Sequence, residues 1–130
     1  MEPADAEPPH RRRILIVDDE PMMRVIMRRA LTADGFELEE AVDGRAALDT
    51  FMQDPARYLM VIVDLMMPRV RGDEAARQMR ARDEQVHIIA VSGFPPELDA
   101  DARRAIDHFL PKPFRPDELR ELVLGVLHAA

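Results

Sequence analysis

The chain has 130 residues, 47% hydrophobic and 33% charged, with a formal net charge of −7 and no cysteine. This is the composition of one globular domain with room for a sizeable core. It excludes disulfides, thiol chemistry and cysteine-based zinc sites, disfavours non-specific attraction to nucleic acid or anionic lipid, and fits a reducing, cytoplasmic setting.

Residues 1–12, opening with MEPADAEPPH, read as a disordered lead-in, and 13–130 as the domain. The arginines at 11–13 read as a solvated flank to the first strand rather than a nucleic-acid arm. ILIV (14–17) is a short, branched, continuous apolar run, as expected of a strand covered on both faces. Pro21 opens and Gly35 closes a helix in which Met23, Ile26, Met27, Ala30 and Leu31 recur at helical spacing. FELEEAV (36–42) is a more polar strand, suited to a sheet edge. A helix over 44–54 turns Ala47, Leu48 and Phe51 inward, and YLMVIV (58–63) is a second buried strand. A polar helix over 72–83, a strand HIIAV (87–91), a charged helix over 96–106, a minimal strand HFL (108–110) and an amphipathic helix over 115–129 complete the chain. The βα alternation, repeated five times, implies a parallel sheet covered by helices on both faces, with right-handed crossovers. No apolar run is long enough to span a bilayer and no signal-peptide core follows the N-terminus, so no membrane is expected.

The chemistry collects where strands end. Asp18, Asp19 and Glu20 follow the first apolar run, Asp64 the third strand, Ser92 and Gly93 the fourth, and Lys112 the fifth. Ligands of open parallel sheets bind beyond the carboxyl ends of the strands, so these groups are expected on one rim. Each has a plain alternative: Asp18, Asp19 or Ser92 as a helix cap, Asp64 as a turn residue, Lys112 as a solvated lysine. Their recurrence at four strand ends favours a site. Three carboxylates without His or Cys suit a hard divalent ion such as Mg²⁺. A carboxylate also serves as a nucleophile towards phosphorus, with positive charge placed against the phosphoryl oxygens. Lys112 is the one lysine among 18 basic residues. Lysine is a compact point charge and arginine a broad fork, which suits lysine to one phosphoryl oxygen beside a metal. Pro111 and Pro113 restrict the backbone around it, and the Lys112–Pro113 bond is a candidate cis peptide.

On these residues the chain resembles the receiver domain of two-component response regulators, the CheY-like superfamily, over about residues 13 to 128. ILIVDDEP resembles the family's first strand and acidic pair, and VIVDLMMPRVRGDE its phosphoacceptor segment. AVSGF and FLPKPF are similar to its Ser/Thr and Lys-Pro signatures. The resemblance implies a flavodoxin-like (βα)5 doubly wound sheet with strand order 2-1-3-4-5. It implies that Asp64 accepts a phosphoryl group from a sensor histidine kinase or a histidine phosphotransfer protein. Asp19, Asp64 and the backbone carbonyl of Met66 would bind Mg²⁺, with Asp18 reaching it through water. Lys112 and Ser92 would engage phosphoryl oxygens, and Gly93 would keep access open. Phe109 would be the aromatic switch that turns inward when Ser92 moves; ordinary core packing is the alternative. Such a module is no enzyme beyond its own aspartyl phosphorylation and dephosphorylation. It would act through an unspecified downstream protein or a phosphorylation-dependent homodimer, alone or as part of a larger regulator or hybrid kinase. Its phosphorylated state would be a population shift between two packings.

Other classes fit less well. A haloacid dehalogenase-type phosphatase would place Asp-x-Asp after the first strand, where this chain has adjacent Asp18 and Asp19. A dinucleotide-binding domain would need a G-x-G-x-x-G turn that the five glycines do not form. A degenerate receiver serving as a scaffold is disfavoured by the full set of site residues.

Overall fold

The computed structural model describes residues 12–67, 69–93 and 97–129. The elements alternate as β1 (Arg13–Val17), α1 (Pro21–Thr32), β2 (Glu37–Ala41), α2 (Gly44–Gln53), β3 (Tyr58–Asp64), α3 (Gly72–Arg82), β4 (His87–Ser92), α4 (Ala100–Ala105), β5 (His108–Pro111) and α5 (Pro116–Ala129), with a 3-10 turn at Pro55–Arg57 before β3. The five strands form one parallel sheet in the order β2-β1-β3-β4-β5. The flavodoxin-like arrangement implied by the resemblance is the one observed, and the lead-in at 1–11 lies outside the described residues.

Strand alternation divides the core into two layers. Ile14, Ile16, Met60, Ile62, Ile89 and Val91 pack on one face against Met27 and Leu31 of α1 and Leu119 and Val123 of α5. Leu15, Val17, Val61, Val63 and Ile88 pack on the other against Leu48 and Phe51 of α2, Ala76 and Met79 of α3 and Ala105 of α4. Burying a side chain of this size contributes roughly 1.5–3 kcal/mol. An exposed ion pair contributes about 0–1 kcal/mol, so the two apolar layers hold the sandwich.

β2 is an edge strand, as its polarity suggests. Its carboxylates are neutralised on both faces. Glu37 and Glu39 bind Arg13, while Glu40 binds Arg24 and Arg28 of α1. The reading of Arg11–Arg13 as a solvated flank is therefore corrected for Arg13. Its side chain is only 18% exposed and opens β1 by meeting carboxylates on the neighbouring strand. The hydroxyl of Tyr58 donates to Glu39. Burial, together with that hydrogen bond to a carboxylate, pushes the Tyr58 phenol up.

Two helix ends differ from expectation. α1 stops at Thr32, and Gly35 takes a positive φ of 82° in the turn into β2. α4 starts at Ala100, four residues later than the sequence pattern suggests, because the Asp99 side chain accepts from the Ala102 N–H and caps it there. Pro95 and Pro96 lie outside the described residues.

Candidate functional site

The carboxyl ends of β1, β3 and β5 meet on one rim. Asp18 follows β1 directly; its main-chain N–H donates to the Ala41 carbonyl at the end of β2 (3.2 Å). Its Oδ1 accepts from the Glu20 N–H (2.9 Å), a local turn that leaves Oδ2 for the site. The capping role considered for Asp18 is thus half met. The carboxylate supports the turn before α1, whose own N-cap position, Glu20, makes no side-chain cap.

Asp64 closes β3 and is only 4% exposed. Its Oδ1 accepts from the Met66 N–H (3.0 Å). The turn beyond it is compact because α3 begins almost against the strand. A Cβ added to Gly72 would lie 2.1 Å from the Asp64 carbonyl oxygen, so only glycine fits there without displacing the backbone.

Lys112 follows β5 directly, and its ammonium bridges the two acids. Nζ lies 3.1 Å from Asp18 Oδ2 and 3.2 Å from Asp64 Oδ2. Its main-chain N–H donates to the Ser92 carbonyl (2.9 Å), and its peptide bond to Pro113 is cis. Asp18, Asp19 and Asp64 each offer a carboxylate oxygen, and these atoms all lie within 4.8 Å of one another. Asp19 is exposed to solvent, whereas Asp18 is fully buried.

Three carboxylates face one ammonium, which leaves an excess of negative charge. Burial pushes the Asp18 carboxyl above its ordinary range, against the pull of the Glu20 N–H and the Lys112 ammonium. Burial also opposes the charge on Lys112, but hydrogen bonds and attraction to Asp18 and Asp64 outweigh it and hold the ammonium above its usual value. Lys112 is therefore firmly charged, yet it does not fully offset the removal of Asp18 from water. Oxygen-only donors, an uncompensated negative charge and one solvent-facing carboxylate fit a hydrated divalent cation of the Mg²⁺ type.

Ser92 ends β4 fully buried. Gly93 follows it at the surface, and an added Cβ there would meet nothing within 4 Å. Phe109 lies on β5, paired in register with Ala90 and 38% exposed, so it is not core packing here. Met66 is 52% exposed beside Asp64. One contact has no counterpart in the sequence reading. Arg24 of α1 donates to the Asp18 carbonyl (2.8 Å). An arginine within a helix, whose acceptors lie 6 and 16 residues away, carries no local signal of that role.

Comparison with known proteins agrees with this geometry. The family model described as the response regulator receiver domain matches residues 14–124. The chain is 42% identical to the response regulator MprA of Mycolicibacterium vanbaalenii, over 82% of this chain and 46% of that protein. It spans about half the length of the curated relatives it matches. Among solved structures it resembles the response regulator TrrA of Thermotoga maritima in complex with Mg²⁺-BeF. That match has 33% identity and a TM-score of 0.79, covering 88% of this chain and 98% of the other. It also resembles the receiver domain of the hybrid histidine kinase CckA, at 30% identity and a TM-score of 0.75, covering 88% and 98%. With its strand order, its acid cluster and these matches, the chain belongs to the receiver domains of two-component response regulators.

Proposed function

We propose that this receiver, residues 13–130, takes a phosphoryl group onto Asp64 from a sensor histidine kinase or a histidine phosphotransfer protein, in a reaction that depends on Mg²⁺. The observation that carries the proposal is the meeting of Asp18, Asp19, Asp64 and Lys112 from three strand ends, with carboxylate oxygens within 4.8 Å of one another and the ammonium bonded to Asp18 and Asp64. An Asp64 carboxylate oxygen attacks phosphorus as the bond from phosphorus to the donor imidazole nitrogen breaks. The histidine leaves with the bonding pair, and an acyl phosphate forms on Asp64. Asp19, Asp64 and the Met66 carbonyl would hold the cation directly, and Asp18 through water. When bound, Mg²⁺ supplies positive charge to the phosphoryl oxygens and offsets the crowded carboxylates.

Lys112 already lies on the acids and contributes a point charge to one phosphoryl oxygen. Ser92 donates its hydroxyl to another. Movement of that hydroxyl opens space for Phe109, whose present exposure leaves it free to turn inward. The switch is a population shift that alters a protein-binding surface, serving a downstream protein or a homodimer. Receiver domains are signalling domains rather than conventional enzymes. Self-catalysed gain and loss of the phosphoryl group are the only reactions in the proposal. A cytoplasmic setting completes the reading; among the described residues no helix is long and apolar enough to cross a membrane.

The test uses a small acyl phosphate as donor and intact-protein mass spectrometry as readout. The wild type gains one phosphoryl group with Mg²⁺ and none with a chelator, and Asp64→Asn gains none. Labelling that survives either change rejects the assignment.

A further inference from the structure

The turn that carries Asp18 and Asp19 is gripped from beneath by one side chain. Arg24, on the first turn of α1, donates from Nη1 to the Asp18 carbonyl (2.8 Å) and from Nε to Glu40 Oε1 (3.0 Å). Its side chain is 15% exposed, so this contact is shielded from competing water far better than a surface pair. The Asp18 carbonyl belongs to the peptide that joins Asp18 to Asp19. Rotation of that peptide would swing both carboxylates, since one lies on each side of it. The preceding peptide is fixed as well, by the bond from the Asp18 N–H to Ala41. The turn is thus held at two successive peptides, one by strand β2 itself and the other by an arginine anchored to β2 through Glu40.

We infer that Arg24 is a positioning residue for the cation site, setting the direction of Asp18 and Asp19 through the peptide between them. This rests on the cation-binding part of the function proposed above. A guanidinium suits the task because its planar fork reaches a carbonyl and a carboxylate together, whereas an ammonium is a single point. The same helix supplies a built-in comparison. Arg28, one turn further on, binds the other oxygen of Glu40 (2.7 Å) but makes no contact with Asp18 among the described hydrogen bonds. Both arginines tie α1 to β2; only Arg24 continues to the acidic turn. A merely structural role for Arg24 would leave Mg²⁺ binding unchanged when its side chain is removed.

The experiment is an Mg²⁺ titration of the full chain followed by amide chemical shifts, with a thermal melt of each variant in chelator. Partners of metal ligands typically change metal affinity by about 10–100-fold when removed. Arg24→Ala is expected to weaken Mg²⁺ binding by about tenfold or more on that scale. Arg28→Ala, whose native side chain is 44% exposed, should lose less thermal stability and bind Mg²⁺ as the wild type does. Arg24→Lys keeps the charge and the aliphatic stem and guards against a misfolded alanine variant; it is expected to bind Mg²⁺ more weakly than wild type. Equal Mg²⁺ affinities for Arg24→Ala and Arg28→Ala, or wild-type affinity for Arg24→Lys, overturn the inference. A wild type that binds no Mg²⁺ overturns it together with the cation site. A wild type that binds Mg²⁺ but takes no phosphoryl group sinks only the proposed function, because the titration does not depend on phosphorylation.

Discussion

Asp18 is held in tension between two roles. Its backbone turn and Lys112 keep it where a cation site requires it, yet burial raises its carboxyl above the ordinary range. A carboxyl whose pKa is higher folded than unfolded holds its proton more tightly in the folded state. Its ionisation therefore subtracts stability as pH rises from the unfolded value through the folded one. The neutral Asp18→Asn keeps an oxygen for the Glu20 N–H and removes that penalty. In chelator this variant is expected to melt above wild type, and with Mg²⁺ present to bind the cation more weakly. A melting temperature at or below that of wild type would contradict the reading of burial as the dominant influence. Such residue-scale detail was partly legible. The meeting of Asp18, Asp19, Asp64 and Lys112 follows from strand-end spacing, because strands are short and their ends sharp. Arg24 was not legible, since its partners are a backbone carbonyl and a strand that its own neighbours do not specify.

At the scale of elements, helix placement decides the shape of the rim. α3 approaches β3 so closely that Gly72 has no room for a side chain. Gly72→Ala must displace the Asp64–Leu65 backbone, which costs roughly 1–3 kcal/mol of the kind seen on overpacking, and should slow the proposed transfer to Asp64. Gly125 in α5 is the contrast, because an added Cβ there meets nothing within 4 Å. Gly125→Ala should stabilise the protein by about 0.8–1 kcal/mol through helix propensity alone. Chemical denaturation of both variants checks the opposite signs. The elements themselves were readable wherever apolar periodicity is strong, as in β1, β3, β4 and α5. α4 was read too long because its six residues bury only Ala102 and Ala105, too weak a stripe to mark a start. The capping signal at Asp99 was present in the sequence and sets the start of α4.

Across the whole molecule, the sheet order could not be derived from periodicity and came from resemblance, because crossovers leave no local trace. The same holds for the bidentate pair between Arg120 of α5 and Asp34 in the turn before β2, which joins segments 86 residues apart. Charge on β2 was legible as the mark of an edge, but its pairing with Arg13, Arg24 and Arg28 was not. That margin has a consequence in acid. Hydrogen bonds from Arg28 and Arg24 hold the Glu40 carboxyl below its ordinary range. Its contribution is therefore complete above the unfolded-state value and fades as pH falls through the lower folded-state one. Light scattering and a thermal melt followed together down that pH range should change together, and Glu40→Gln should already show the loss of stability at neutral pH. Ionised side chains along a border strand discourage a second molecule from continuing the sheet. Protonation of Glu40 would release Arg24 and Arg28 and loosen the first helix from that border, so the sourness that starts to unravel this fold would act at the very margin where copies could adhere.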